Sequence, residues 1–153
     1  MNADCELCAQ PGGRTLYADE RLRVVAVDEQ DYPGYLRIVW NAHVRELTDL
    51  DDAELAYLLR ALCTVEEAQR RVLQPLKMNV ASLGNMVPHL HWHLIPRHED
   101  DAHFPQPVWG ERQRDTAAEL LAARHARAAE LEPTLQEALN CLRSSSVPDS
   151  PAA

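Results

Sequence analysis

Pro88-His89-Leu90-His91-Trp92-His93-Leu94-Ile95-Pro96 is the stretch from which the rest of the chain can be read. Side chains on a strand alternate between faces with period two. His89, His91 and His93 therefore share one face, and Leu90, Trp92 and Leu94 share the other. The apolar side can pack on a core while the imidazoles point into a common site. Proline is tolerated mainly at strand ends and edges, so Pro88 and Pro96 confine the strand. Imidazole is a nucleophile near neutral pH and also moves protons there. Attack on a phosphoryl group would give a phospho-imidazole that water can open, dividing one difficult displacement into two. A neighbouring imidazole could hold the phosphate oxygens or protonate the leaving group. Two other readings stay open. The histidines could be satisfied structural residues, or an H-x-H metal site of the kind metal hydrolases use. His98, Asp100, Asp101 and His103 lie nearby but at no recognisable ligand spacing.

Upstream of this strand, Leu22 to Val27 and Tyr35 to Trp40 are rich in β-branched and aromatic residues, with Pro33-Gly34 between them. They predict an antiparallel pair. Leu55, Leu58, Leu59, Leu62, Val65, Val72, Leu73 and Leu76 then recur at three- and four-residue steps, predicting one long amphipathic helix. Asp51 with Glu54 resembles a capping box, with Leu50 and Leu55 as its apolar staple, and Pro75 closes the helix. Short strands are expected about Lys77 to Ser82 and His89 to Ile95, joined by a Gly84-Asn85 turn. Arg97 to Arg112 reads as an irregular acidic loop. Thr116 with Glu119 begins a second helical region, and Pro133 marks a restart. The fold class is α+β. A domain over residues 1–112 carries a helical extension over 113–143 packed on it, and a mobile tail over 144–153.

The chain has 153 residues, a formal net charge of -9, and 46% apolar residues. That composition supports one core and argues against a nucleic-acid backbone binder, which would need a basic face. It does not exclude a small anion held by backbone N–H groups and histidines. No apolar run approaches the roughly 20 residues of a membrane helix, so no membrane association is expected. Met1 to Glu6 show no secretory signal, and a cytoplasmic protein is the expectation. Cys5 and Cys8 form a C-x-x-C pair, which in a reducing compartment suggests metal binding or redox chemistry. Cys63 reads as a buried small apolar residue, and Cys141 as a similar one. His125 reads as a solvated face residue.

His89-Leu90-His91-Trp92-His93-Leu94-Ile95 resembles the His-φ-His-φ-His-φ-φ signature of the histidine-triad (HIT) superfamily of nucleotide hydrolases and transferases. The run Ser82-Leu83-Gly84-Asn85-Met86-Val87-Pro88 into it is similar to a bacterial branch described as diadenosine-tetraphosphate-hydrolase-like. The likeness covers roughly Cys5 to Trp109. It implies an antiparallel sheet of about five strands with a long helix, and a homodimer.

The resemblance implies that His91 is the nucleophile and that His93 binds the phosphate beside it. It also implies that Asp28 receives the ribose hydroxyls, and that Ser82 or Asn85 contacts phosphate. Many members carry a fourth histidine where this chain has Tyr35. Several bacterial members join the C-x-x-C pair to two histidines around a structural zinc, which here implies Cys5, Cys8, His43 and His89; free thiols are the alternative. No organic cofactor is expected. The implied activity is cleavage of a nucleotidyl phosphate linkage, in a dinucleoside polyphosphate or a nucleoside phosphoramidate, through a nucleotidyl-histidine. The alternative is a nucleotide-binding module with little catalysis.

Overall fold

Alternation along the central strands divides the sheet into two unlike faces. The computed structural model describes residues 4–145. Its strands are β1 (Arg14–Ala18), β2 (Leu22–Ala26), β3 (Leu36–Trp40), β4 (Lys77–Ala81) and β5 (His91–Arg97). They form one antiparallel sheet in the order β1-β2-β3-β5-β4. Leu22 and Val24, Leu36, Ile38 and Trp40, and Leu94 point to one side. There they meet Tyr57, Leu58, Ala61, Leu62 and Val65 of helix α2 (Asp52–Leu73) and Leu135 and Leu139 of helix α4 (Leu131–Ser145). This is the main core. Helix α3 (Ala118–Ala128) packs along α2, and α4 lies against both α2 and β1.

Helix α2 begins as its sequence predicts. The Asp51 carboxylate accepts the Glu54 N–H at 2.8 Å, and the Glu54 carboxylate accepts the Asp51 N–H at 3.1 Å. It ends at Leu73, with Gln74 in the left-handed region ahead of Pro75. Gly34 has φ +82, and a Cβ there would lie 2.4 Å from a Leu73 methyl. Only glycine lets the turn into β3 pass that close to the helix end. Pro133 falls in the first turn of α4, as a restart requires.

Several expectations are corrected. Strand β5 runs from His91 to Arg97 instead of His89 to Ile95, because the ladder breaks at Leu90: its carbonyl still accepts the Trp40 N–H at 3.1 Å, but its N–H goes to Val44 O at 2.8 Å and the Trp40 carbonyl meets the His89 ring. Pro96 lies inside the strand. It is tolerated because the β3 ladder ends at Leu94, leaving no bond on that side for proline to break. Residues 82–90 form a broad loop rather than a tight Gly84-Asn85 turn. Strand β1 escapes the alternation rule because a bulge between Thr15 and Tyr17 buries two successive residues, Leu16 and Tyr17.

Leu59 and Leu76 of the apolar stripe are exposed, as are Cys63 and Cys141, which lie on outer helix faces. Ser144 belongs to α4, its hydroxyl donating to Asn140 O at 2.9 Å; the rest of the expected tail beyond Ser145 lies outside the described residues. Among the described residues no helix is long and apolar enough to cross a membrane.

Candidate active site

The second face of the sheet is covered at its two ends and open between them. At one end the N-terminal segment, with the short helix α1 (Glu6–Ala9), packs Cys5 and Leu7 on Val25 and Val39. At the other end Tyr32, Tyr35 and Ile95 pack with Val108 of the segment that follows β5. A cavity of about 570 Å³ lies between, lined by Glu6, Leu7, Arg37, residues 83–87, His91, His93 and Trp109.

His91 and His93 reach it from β5, and cross-strand pairing of Arg37 with His93 puts that guanidinium on the same face. The His91 and His93 rings meet edge to face, with centroids 4.9 Å apart. His91 Nδ1 lies 2.6 Å from the carbonyl oxygen of His89. A carbonyl can only accept, so the proton sits on Nδ1 and Nε2 keeps its lone pair. Burial first, and then the nearby Arg37, lower the His91 pKa, against an opposing effect of its bond to His89. Burial, with His91 and Arg37 beside it, pushes the His93 pKa down to about 4. Both rings are neutral at pH 7.

Tyr35 stands where the resemblance implies a fourth histidine. Its hydroxyl lies 2.5 Å from His93 Nδ1, so it addresses the third histidine of the motif. Burial raises the Tyr35 pKa, which keeps the phenol protonated. Asn85 lines the cavity, whereas the Ser82 hydroxyl donates to His91 O at 3.0 Å and holds the loop to β5. Asp28 is exposed and borders a separate cavity with Arg14, Gly34 and His125; it does not line the one that holds His91.

The common site expected for three imidazoles holds two. The His89 ring turns away and is 1% exposed, with Nε2 2.6 Å from Trp40 O. Its Nδ1 lies 3.4 Å from Cys5 Sγ, 3.6 Å from Cys8 Sγ and 3.3 Å from His43 Nδ1. Cys8 Sγ is 3.4 Å from His43 Nδ1, and the four ligand atoms all fall within 4.8 Å of one another. Zinc bonds of about 2.3 Å to sulfur and about 2.0 Å to nitrogen, at tetrahedral angles, give edges of about 3.3 to 3.8 Å. The four donors fit such an ion in both distance and softness.

The segment after β5 is irregular, as expected, but firmly built. Arg97 is 2% exposed and grips Asp101 through Nε at 2.7 Å and Nη2 at 3.0 Å. It also donates to Asn79 Oδ1 and Gln106 O. The Asp101 carboxylate accepts the N–H groups of His98, His103 and Phe104. Burial alone would raise its pKa, but these bonds outweigh burial and hold it below the usual value. His103 Nδ1 meets the Tyr32 hydroxyl, and the Thr116 hydroxyl donates to Asp100 O, so both belong to this scaffold. The scaffold sets Trp109, 58% exposed, edge-on to His93 at 5.7 Å.

Arg37 and Trp109 were not singled out from the sequence. Arg37 carries a signal in retrospect, as the lone charge between Leu36 and Ile38 in an apolar strand. Trp109, inside a polar loop, carries none.

Comparison with known proteins agrees with this geometry. The HIT domain family model matches residues 11–100. An AP-4-A phosphorylase of Mycobacterium tuberculosis is 33% identical over 106 residues, 62% of this chain and 54% of that protein. A bis(5'-nucleosyl)-tetraphosphatase (asymmetrical) of Schizosaccharomyces pombe is 27% identical over 88 residues, 54% of this chain and 48% of that protein. The chain spans about half the length of the curated relatives it matches. A solved histidine triad protein from Marinobacter aquaeolei superposes with a TM-score of 0.70 at 29% identity, covering 90% of this chain and 98% of that one.

Proposed function

The chain belongs to the HIT domain family, and on that premise we propose that it cleaves a nucleotidyl phosphate linkage through a covalent nucleotidyl-histidine on His91. The observation that carries the reading is the 2.6 Å contact from His91 Nδ1 to His89 O. It presents Nε2 as the basic nitrogen, and the same carbonyl dipole stabilises the positive charge that the ring gains on phosphorylation. An N–P bond forms as the bond from phosphorus to the leaving group breaks; water then attacks phosphorus and frees His91. The Tyr35 phenol donates to His93 Nδ1, which places the His93 proton on Nε2, available to a phosphate oxygen. Asn85 contributes a further polar contact on the cavity wall. The names of the phosphorylase and the tetraphosphatase support a nucleotide substrate.

Cys5, Cys8, His43 and His89 would hold a zinc ion that clamps the N-terminal segment to the sheet. Its ligand His89 supplies the carbonyl that orients His91. The homodimer that the resemblance implies is part of the proposal: Val80 on β4, a sheet edge, and Leu76 just before it are exposed apolar residues there. Light scattering on the purified protein tests the dimer.

The decisive experiment is to trap the nucleotidyl adduct by mass spectrometry. His91→Ala should abolish it and reduce turnover by at least about 10³-fold. Turnover equal in wild type and His91→Ala would end the covalent reading. Tight nucleotide binding without turnover above that of His91→Ala would favour a binding module instead, the reading that Tyr35 in the fourth-histidine place keeps in view.

A further inference from the structure

Arg37 is a cation without a counterion, set in the wall of the reactive cavity. The chain as a whole carries a net charge of -9, and each of its other arginines in an internal ion pair, Arg14, Arg97, Arg112 and Arg124, meets a carboxylate. Arg37 forms no ion pair among the described residues. Its guanidinium lies 6.0 Å from the Tyr35 ring centroid, its Nη1 reaches the Gly12 carbonyl at a long 3.5 Å, and its Nε is buried without any hydrogen-bond partner. The acidic residue among those lining the cavity, Glu6, is exposed to solvent. A buried guanidinium N–H left unpaired is costly, so its place in the fold points to a partner that arrives from outside.

The position defines that partner. Arg37 sits directly across from His93 and one residue pair from His91 on the same face. It is close enough to both rings to help lower their proton affinity. A planar fork of N–H donors beside the attack site matches oxygens of phosphate in charge and in geometry. The attacked phosphate is addressed by His91 and His93, which leaves the guanidinium for phosphates further along.

Resting on the nucleotidyl-transfer reading above, we propose that Arg37 receives the phosphate chain on the leaving-group side, so that polyphosphate-bridged nucleotides, rather than phosphoramidates, are the preferred substrate class. A phosphoramidate loses an uncharged amine and offers Arg37 nothing to hold. A dinucleoside tetraphosphate attacked at its α-phosphate leaves a nucleotidyl group on His91 and releases a nucleoside triphosphate, whose negative charges the guanidinium holds as they develop.

The test compares two substrates on each protein. Arg37→Leu should lower kcat/KM for diadenosine tetraphosphate by about 10- to 100-fold, the loss expected for a charge-assisted contact. Its loss on adenosine 5'-phosphoramidate should be at least tenfold smaller. Arg37→Lys, with the charge but not the fork, should fall between. If the leucine variant does not fold by circular dichroism, Arg37→Gln takes its place. An equal loss on both substrates, or no loss on either, overturns the proposal. If wild type turns over neither substrate faster than His91→Ala, the covalent reading fails, and titration with inorganic tripolyphosphate decides the role of Arg37. Binding weakened about tenfold or more in Arg37→Leu then sustains it, and unchanged binding overturns it.

Discussion

The N-terminal segment and the segment after β5 cover two ends of the same sheet face, and they are fastened by opposite means. The first packs Leu7 on Val25 and Val39, has its carbonyls held by Arg23, and converges on four donor atoms, Cys5, Cys8, His43 and His89. The second is fastened by one buried ion pair, Arg97 with Asp101, and by backbone N–H and carbonyl groups gathered around it. On the zinc reading proposed above, the first fastening would be completed by an ion from outside the chain; the second is complete in itself. One cover should therefore respond to metal and the other only to mutation or strong acid.

The sharpest way to break that contrast is Asp101→Ala. It strands a buried guanidinium and three N–H groups, and should destabilise the protein by about 3–5 kcal/mol. Thermal unfolding would show it, and a loss under about 1 kcal/mol would mean that the segment is held some other way. Next comes metal removal. With free zinc at a hundredfold its dissociation constant, linkage gives about 2.7 kcal/mol of stabilisation. A chelator should lower the unfolding midpoint of wild type and leave Cys5→Ser unmoved, while a zinc-release dye reports the ion directly. Chelation that shifts both proteins equally, or neither, would deny the donor cluster this role.

Acid should act first on the cavity between the two covers and then on the second cover. His93 has its pKa lowered to about 4 in the fold, against 6.5 ordinarily. The unfolded chain therefore takes up that proton first, and stability falls as pH drops from 6.5 toward 4. Asp101 is depressed below 3.8, so its contribution is present above that value and is lost only as pH falls through the lowered one. Urea midpoints measured against pH should show both limbs, and His93→Gln should flatten the upper one. The smallest effect belongs to Arg112→Ala, which removes solvent-exposed pairs to Asp31 and Asp115 at the outer margin of the second cover. No change resolvable in a thermal scan is expected.

Much of the scaffold was legible because its signals are local. The capping box at Asp51, the Pro33-Gly34 turn and the alternation through Leu36, Ile38 and Trp40 each depend on neighbours a few residues away. Where distant backbone intervenes, local reading fails. His89 keeps the period of the strand in sequence, yet Val44 draws the Leu90 N–H out of the ladder and the His89 ring lies against the cysteines. Leu16 and Tyr17 hide a strand because a bulge buries neighbours in succession. At the site, the residues carried by the motif, His91 and His93, came together, whereas Asp28 borders another cavity. Arg97 and Asp101 looked like two more charges in a polar loop, since nothing in their spacing says that both are buried.

Glu6, Leu7 and Trp109 border the same cavity although about a hundred residues separate them along the chain. A ribosome therefore releases the triad about sixteen residues, on the order of a second of synthesis, before the last wall of the chamber. Until Trp109 has emerged, the nascent chain holds its reactive imidazoles in a chamber that lacks one wall, since every other lining residue precedes the last of the triad.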